Sequence, residues 1–123
     1  MKAVPILYCR NMGEAIAFYT QVLDFTLKYP GTGADNPVVA IVNGHAELQL
    51  SILRGDQPTA IAVNLWVEKI DALREKYLGR GLNPKHYPDS PVHNGPIDQT
   101  WGTREWYLND PTGNTLRFVM PGS

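Results

Sequence analysis

The chain has 123 residues, 43% of them hydrophobic and 19% charged, with eleven basic residues against twelve acidic ones for a net charge of -1. That length supports one real core and no second independent domain, and the composition is ordinary for a soluble globular protein. The balanced charge, with no Lys/Arg-rich stretch, speaks against a nucleic-acid partner. A lone cysteine, Cys9, leaves no intramolecular disulfide and fits a reducing compartment. The apolar start, Met1 to Cys9, is cut short by Arg10, too soon for a signal peptide or a membrane span. The expected location is the cytoplasm.

The run Val4 to Cys9 reads as a strand, followed by Asn11 as a helix N-cap. Met12, Ala15, Ile16, Tyr19, Val22 and Leu23 then recur at helical spacing. Phe25 to Tyr29 is a second strand, and the stretch from Pro30 to Pro37 is a loop dense in turn formers. Val38 to Val42 and Ala46 to Leu53 form a hairpin, with Asn43-Gly44 expected to supply the positive φ angles of its turn. The second half repeats this order. Thr59 to Val67 is a strand, Ile70, Leu73, Tyr77 and Leu78 mark a helix, and Gly79 and Gly81 close it. A short strand is expected at Lys85 to Tyr87, then a long loop from Pro88 to Trp101. The final hairpin, Thr103 to Asn109 and Thr115 to Met120, closes around Asp110-Pro111-Thr112-Gly113-Asn114.

A shift of 58 residues lays Cys9 on Val67, Met12 on Ile70, Tyr19 on Tyr77 and Tyr29-Pro30 on Tyr87-Pro88. The order strand, helix, strand, hairpin repeats more clearly than the residues do. The expected organisation is one domain of two repeats, 1–58 and 59–123, with the seam at Asp56-Gln57-Pro58.

Successive side chains on a strand point to opposite faces. Ile61, Val63, Leu65 and Val67 therefore form an apolar face, and Ala60, Ala62, Asn64 and Trp66 a mixed one. In the last strand Leu116, Phe118 and Met120 oppose Thr115, Arg117 and Val119. In the fourth, Leu48, Leu50 and Ile52 oppose Glu47, Gln49 and Ser51. The mixed faces either meet water, as antiparallel sheets often do, or wall a ligand cleft. Trp66 favours the cleft, because an indole is a costly choice for open solvent.

From Trp101 to Asn114 the sequence WGTREWYLNDPTGN resembles the W-G-x-R-E-(aromatic)-x-x-x-D-P-x-G-N signature of bleomycin-resistance-like proteins, within the glyoxalase/bleomycin-resistance/dioxygenase (vicinal oxygen chelate) superfamily. Arg10-Asn11-Met12 through Ala17-Phe18-Tyr19, and Leu65-Trp66-Val67, are similar to further stretches of that family. The resemblance implies an α+β fold of two βαβββ modules whose mixed sheets form an open, barrel-like cleft. In the turn itself, Pro111 presets φ, and Gly113 and Asn114 tolerate left-handed backbone. Enzymes of the superfamily hold a divalent metal with His, Gln or Glu from the first, fourth, fifth and eighth strands. The resemblance places those positions at Val4, Gln49 (or Glu47), Ala62 and Arg117. Val4 and Ala62 offer no donor, and Arg117 is a permanent cation. No metal, cofactor or catalytic residue is therefore expected.

Members of the resistance branch sequester a flat antibiotic in clefts between two subunits, with tryptophans stacking on its rings. The implied function is metal-free binding of a planar aromatic, antibiotic-like molecule by a homodimer. Its expected contacts are Trp66, Trp101, Tyr107, Asn64, Arg117, Glu105, Gln49 and His93. The near-neutral charge and Arg117 suit a neutral or anionic ligand better than a cationic one. Among the histidines, His45 and His86 are expected to be solvated. His93, in the long loop, is either a solvated side chain or a functional one. Arg117 is expected to need a partner, with Glu47, Gln49 and Glu105 as candidates for an internal pair. The alternative class is a glyoxalase- or dioxygenase-like enzyme with unusual metal ligands, or a metal-free one using Glu105, Glu47, Arg117 and His93. A purely structural partner domain is a third possibility.

Overall fold

A computed structural model describes residues 1–55 and 57–122; Asp56, in the expected seam, lies outside the described residues. The chain folds into two compact units, Met1–Ile61 with Asp110–Asn114, and Ala62–Asn109 with residues 115–122. Each contains a βαβββ module on a mixed four-stranded sheet, and the protein is α+β.

In the first unit β1 (Ile6–Tyr8), α1 (Met12–Ala17), β2 (Thr26–Leu27), β3 (Val38–Asn43) and β4 (Ala46–Ser51) follow in order. The strand order is β1-β4-β3-β2, with β1 parallel to β4 and the other pairs antiparallel. β1 is shorter than the apolar run because Pro5 has no N–H for a ladder; its carbonyl still accepts from Gln49 N at 2.9 Å. Asn11 caps α1, its side chain accepting from Glu14 N at 2.8 Å. The helix widens into a π turn at Phe18–Val22, where Leu23 N donates to Phe18 O. Leu7, Val39, Ile41, Leu48 and Leu50 from the sheet are buried with Met12, Ala15, Tyr19, Leu23 and Phe25. The hairpin loop is Gly44-His45 rather than Asn43-Gly44, since Asn43 pairs with Ala46 in the ladder. Only Gly44 has positive φ, at 58°, which is the demand of a turn with glycine at its first central position.

The Asp110–Asn114 turn is built differently from the expectation. Gly113 has φ 104°, but Asn114 does not adopt positive φ. Its role is carried by its side chain, fully buried. Asn114 Nδ2 donates to Tyr8 O and to Asp110 Oδ2, both at 2.9 Å, and Oδ1 accepts from Ile61 N at 3.1 Å. Asp110 Oδ1 accepts from the N–H groups of Thr112, Gly113 and Asn114, and Oδ2 accepts from the Tyr19 hydroxyl at 2.8 Å. This network answers the cost of burying a carboxylate and an amide.

In the second unit β5 (Ala62–Trp66), α2 (Ile70–Gly79), α3 (Pro91–Asn94), β6 (Ile97–Asp98), β7 (Thr103–Asn109) and β8 (Thr115–Pro121) give the sheet order β5-β8-β7-β6. β5 is parallel to β8, and the rest are antiparallel. Gly81, at φ 101°, ends α2 in a Schellman motif, with Leu82 N donating to Tyr77 O and Gly81 N to Leu78 O. Tyr77 packs on Trp106 and Phe118, whose rings stack 5.5 Å apart. The strand expected at Lys85 to Tyr87 is not formed. The Asn94 side chain takes both backbone groups of Tyr87, accepting its N–H at 2.7 Å and donating to its carbonyl at 2.8 Å. The edge belongs instead to Ile97–Asp98, inside the stretch read as loop. Among the described residues no helix is long and apolar enough to cross a membrane.

Candidate functional site

Strand parity builds the site on the face of the second sheet opposite α2. Register sets Glu105 beside Val119 and Val119 beside Trp66; Tyr107 beside Arg117 and Arg117 beside Asn64; Asn109 beside Thr115 and Thr115 beside Ala62. The alternate residues Val63, Leu116, Phe118, Trp106 and Leu108 are buried. Trp66 is 66% exposed and Trp101 67%. Gly102, at φ 96°, turns the chain so that Gln99 N reaches Thr103 O, and Trp101 is delivered beside Glu105. Two strand spacings, roughly 10 Å, separate Glu105 from Trp66.

Glu105 is the polar centre of this face and only 6% exposed. Its Oε2 accepts from Trp101 Nε1 at 2.9 Å and from Thr103 Oγ1, and its Oε1 from the Tyr107 hydroxyl at 2.7 Å. Burial pushes its carboxyl up, but the donors Thr103, Tyr107 and Trp101, with the Arg117 charge, hold it below the usual carboxylate range. Burial raises the Tyr107 hydroxyl, and its bond to Glu105 raises it further. A carboxylate so held is a poor proton acceptor; it orients Trp101 and Tyr107.

Arg117 corrects the expectation of an internal ion pair. It is exposed, and it takes part in none of the ion pairs among the described residues. Its guanidinium lies 4.8 Å from the centre of the Tyr107 ring. Glu47 is engaged elsewhere, by Lys2 at 2.7 Å and Lys28 at 2.9 Å, which lower its carboxyl.

His93 reaches the same face from α3. Its ring lies tilted against Tyr87 at 4.6 Å and meets Tyr107 edge-on at 5.7 Å. Nδ1 contacts Ser90 Oγ at 2.7 Å and Nε2 contacts Asn109 Oδ1 at 3.0 Å. Asn109 Oδ1 also accepts from Thr115 Oγ1 at 2.9 Å, which ties His93 to β8 through β7. His45 and His86 are exposed.

Trp66, Trp101, Tyr107, Asn64, Arg117, Glu105 and His93 thus share one unit. Gln49 does not join them. It belongs to the first unit, paired with Ile6 and Ala40, and lines a groove of about 560 Å³ with Val4, Ile6, Ser51 and Arg54. Thr103, Ser90, Tyr87 and Asn109 were missed. Thr103 was legible as the residue two before Glu105 on the same face; Ser90 and Tyr87 reach the site through a short helix that no periodicity announced.

The superfamily's metal does not fit these residues. Gln49 is flanked in its sheet by Ile6 and Ala40, and Arg117 by Asn64 and Tyr107, so neither position gathers anionic or imidazole donors. Among the described residues no group of three His, Cys, Asp or Glu could hold an ion. Cys9 is buried against Met12, and burial, with the Asp110 charge, pushes its thiol up to about 11.

Two βαβββ modules, each a mixed sheet with its helix on one face, define the architecture. The chain belongs to the Glyoxalase/Bleomycin resistance protein/Dioxygenase superfamily, whose profile matches residues 3–118. Its fold is similar to that of a bleomycin-binding protein solved with bleomycin, at a TM-score of 0.75 and 20% identity, covering 98% of both chains. A bleomycin resistance determinant encoded on the transposon Tn5 gives 0.74 and 19%, again over 98% of both. The bleomycin-binding protein of bleomycin-producing Streptomyces verticillus, solved with copper(II)-bleomycin, gives 0.67 and 20%, over 100% of this chain and 97% of that one. No curated protein matches the sequence.

Proposed function

We propose that this chain is a small-molecule-binding protein of the bleomycin-resistance type, which sequesters a planar aromatic, antibiotic-like compound without a metal, as a cytoplasmic homodimer. The observation that carries the reading is the pair of exposed indoles on the second unit: Trp66 shares a register row with Val119 and Glu105, Trp101 donates to Glu105, and Arg117 with Tyr107 forms the next row of the same face. Leaving two large aromatic surfaces in water is unfavourable, and a flat ligand that covers them recovers that area with ring-on-ring contact. The fold shared with proteins solved with bleomycin supports the class of ligand. Stacking needs no reacting group, and the carboxylate of this face already accepts from three donors.

The test is a screen of planar aromatic compounds by quenching of tryptophan emission, with Ni²⁺ and Zn²⁺ titrated in parallel. Saturable, stoichiometric quenching by a member of the set is expected. Stoichiometric metal binding at micromolar concentration, with no aromatic compound saturating, would replace this reading by the enzyme one.

A further inference from the structure

We propose that the compound taken up by this face is a planar aromatic anion, its acidic oxygens gripped by Arg117 with Asn64 alongside. The inference rests on the aromatic-binding reading above and adds to it the charge of the ligand. On the second sheet's open face Glu105 and Arg117 are the formal charges, and the structure treats them oppositely. Glu105 is buried, with both oxygens occupied by Trp101, Thr103 and Tyr107. A ligand finds the Glu105 acceptor oxygens already taken by neutral donors, while the carboxylate's charge remains and acts on Arg117. Arg117 is exposed and paired with no carboxylate among the described residues.

Arg117 is nevertheless held in place. Its guanidinium lies over Tyr107, its cross-strand neighbour, and the phenol is itself anchored by donating to the Glu105 carboxylate. The Arg117 side chain makes no hydrogen bond among the described residues, so its N–H fork is available to a carboxylate, sulfonate or phosphate, which can meet it with two parallel hydrogen bonds. Asn64 stands directly across on β5, exposed, its side chain without a hydrogen bond among the described residues, so its amide can add a third donor. Trp66 lies two residues along the same strand on the same face. A ring resting there carries its substituent back towards Arg117. A cationic ligand would meet the opposite: an exposed guanidinium and a carboxylate already satisfied.

The experiment compares 2-naphthoate, 2-naphthamide and 2-naphthylmethylammonium, near-equal in shape, by calorimetric titration of the full chain at low ionic strength. The naphthoate is expected to bind at least tenfold more tightly than either of the others, and 2-naphthalenesulfonate and 2-naphthyl phosphate show whether the grip is for carboxylate alone. In Arg117→Gln, checked for an unchanged melting temperature, the preference should collapse. Lys69→Gln, which removes one positive charge away from this face, should keep it. Equal binding of all three ligands overturns the charge inference while leaving an aromatic site standing. Loss of the preference in Lys69→Gln assigns it to net charge and also overturns it. If none of the naphthalenes binds and the wider aromatic screen is silent too, the site reading itself falls.

Discussion

The Asp110–Asn114 turn offers the sharpest test, because two explanations of Asn114 predict opposite results. If asparagine is there to tolerate left-handed backbone, glycine should replace it with no loss or a small gain. The structure gives residue 114 ordinary negative φ and three side-chain hydrogen bonds instead. Asn114→Ala strands the Tyr8 carbonyl and the Ile61 N–H, at about 1 kcal/mol each for part-buried groups, and removes a hydrogen bond to the Asp110 carboxylate worth about 1.5–3 kcal/mol. The expected loss is therefore about 3–5 kcal/mol, a large fraction of the stability of a domain this size. Asn114→Gly should lose as much, plus about 0.5–1 kcal/mol of backbone entropy. Urea unfolding followed by circular dichroism measures both, with the midpoint falling by about 2 M at an unchanged slope. A glycine variant as stable as the native chain, or an alanine variant within about 1 kcal/mol of it, would show that the side-chain network does not hold the turn.

Trp66→Ala should weaken binding of a saturating aromatic ligand roughly tenfold to a hundredfold while changing stability by less than about 1 kcal/mol, since its indole is mostly exposed. Trp101→Ala should weaken binding similarly but also cost about 1.5–3 kcal/mol of stability, because it removes a hydrogen bond to the buried Glu105 carboxylate; calorimetry and melting curves separate the two effects. Because the folded Glu105 carboxyl lies below its unfolded value, its charge contributes stability that is present above about pH 4.3 and lost as pH falls through the folded pKa. The stability gap between the native chain and Glu105→Gln should therefore be widest near neutrality and shrink in acid, and a gap that widens below pH 4 would contradict the hydrogen-bond account. Cys9, with its thiol raised to about 11 and its side chain buried, should not react with an aromatic disulfide reagent at pH 8 until urea unfolds the chain, when one thiol per chain should titrate.

Much of this arrangement was legible in order along the chain. Strand alternation put Asn64 and Trp66 on one side of β5, and Thr115, Arg117 and Val119 on one side of β8, because a period of two needs no knowledge of neighbours. The Asn11 cap and the strand–helix–strand–hairpin repeat are equally local, and the Trp101 to Asn114 signature led to the right superfamily. What depended on long-range partners was not legible. Asn114 bonds to Tyr8 106 positions away, and Tyr19 to Asp110 91 positions away, so the turn's chemistry looked like backbone tolerance until its partners were seen. Lys85 to Tyr87 has the composition of a strand, yet one asparagine side chain satisfies Tyr87 more closely than a ladder could. Arg117 seemed to require a carboxylate, and the tertiary structure supplied a tyrosine ring instead. Sequence patterning determines which face a side chain occupies. Only the folded register decides which groups on that face meet, since hydrogen bonds and ring contacts act over a few ångströms and their partners come from anywhere in the chain.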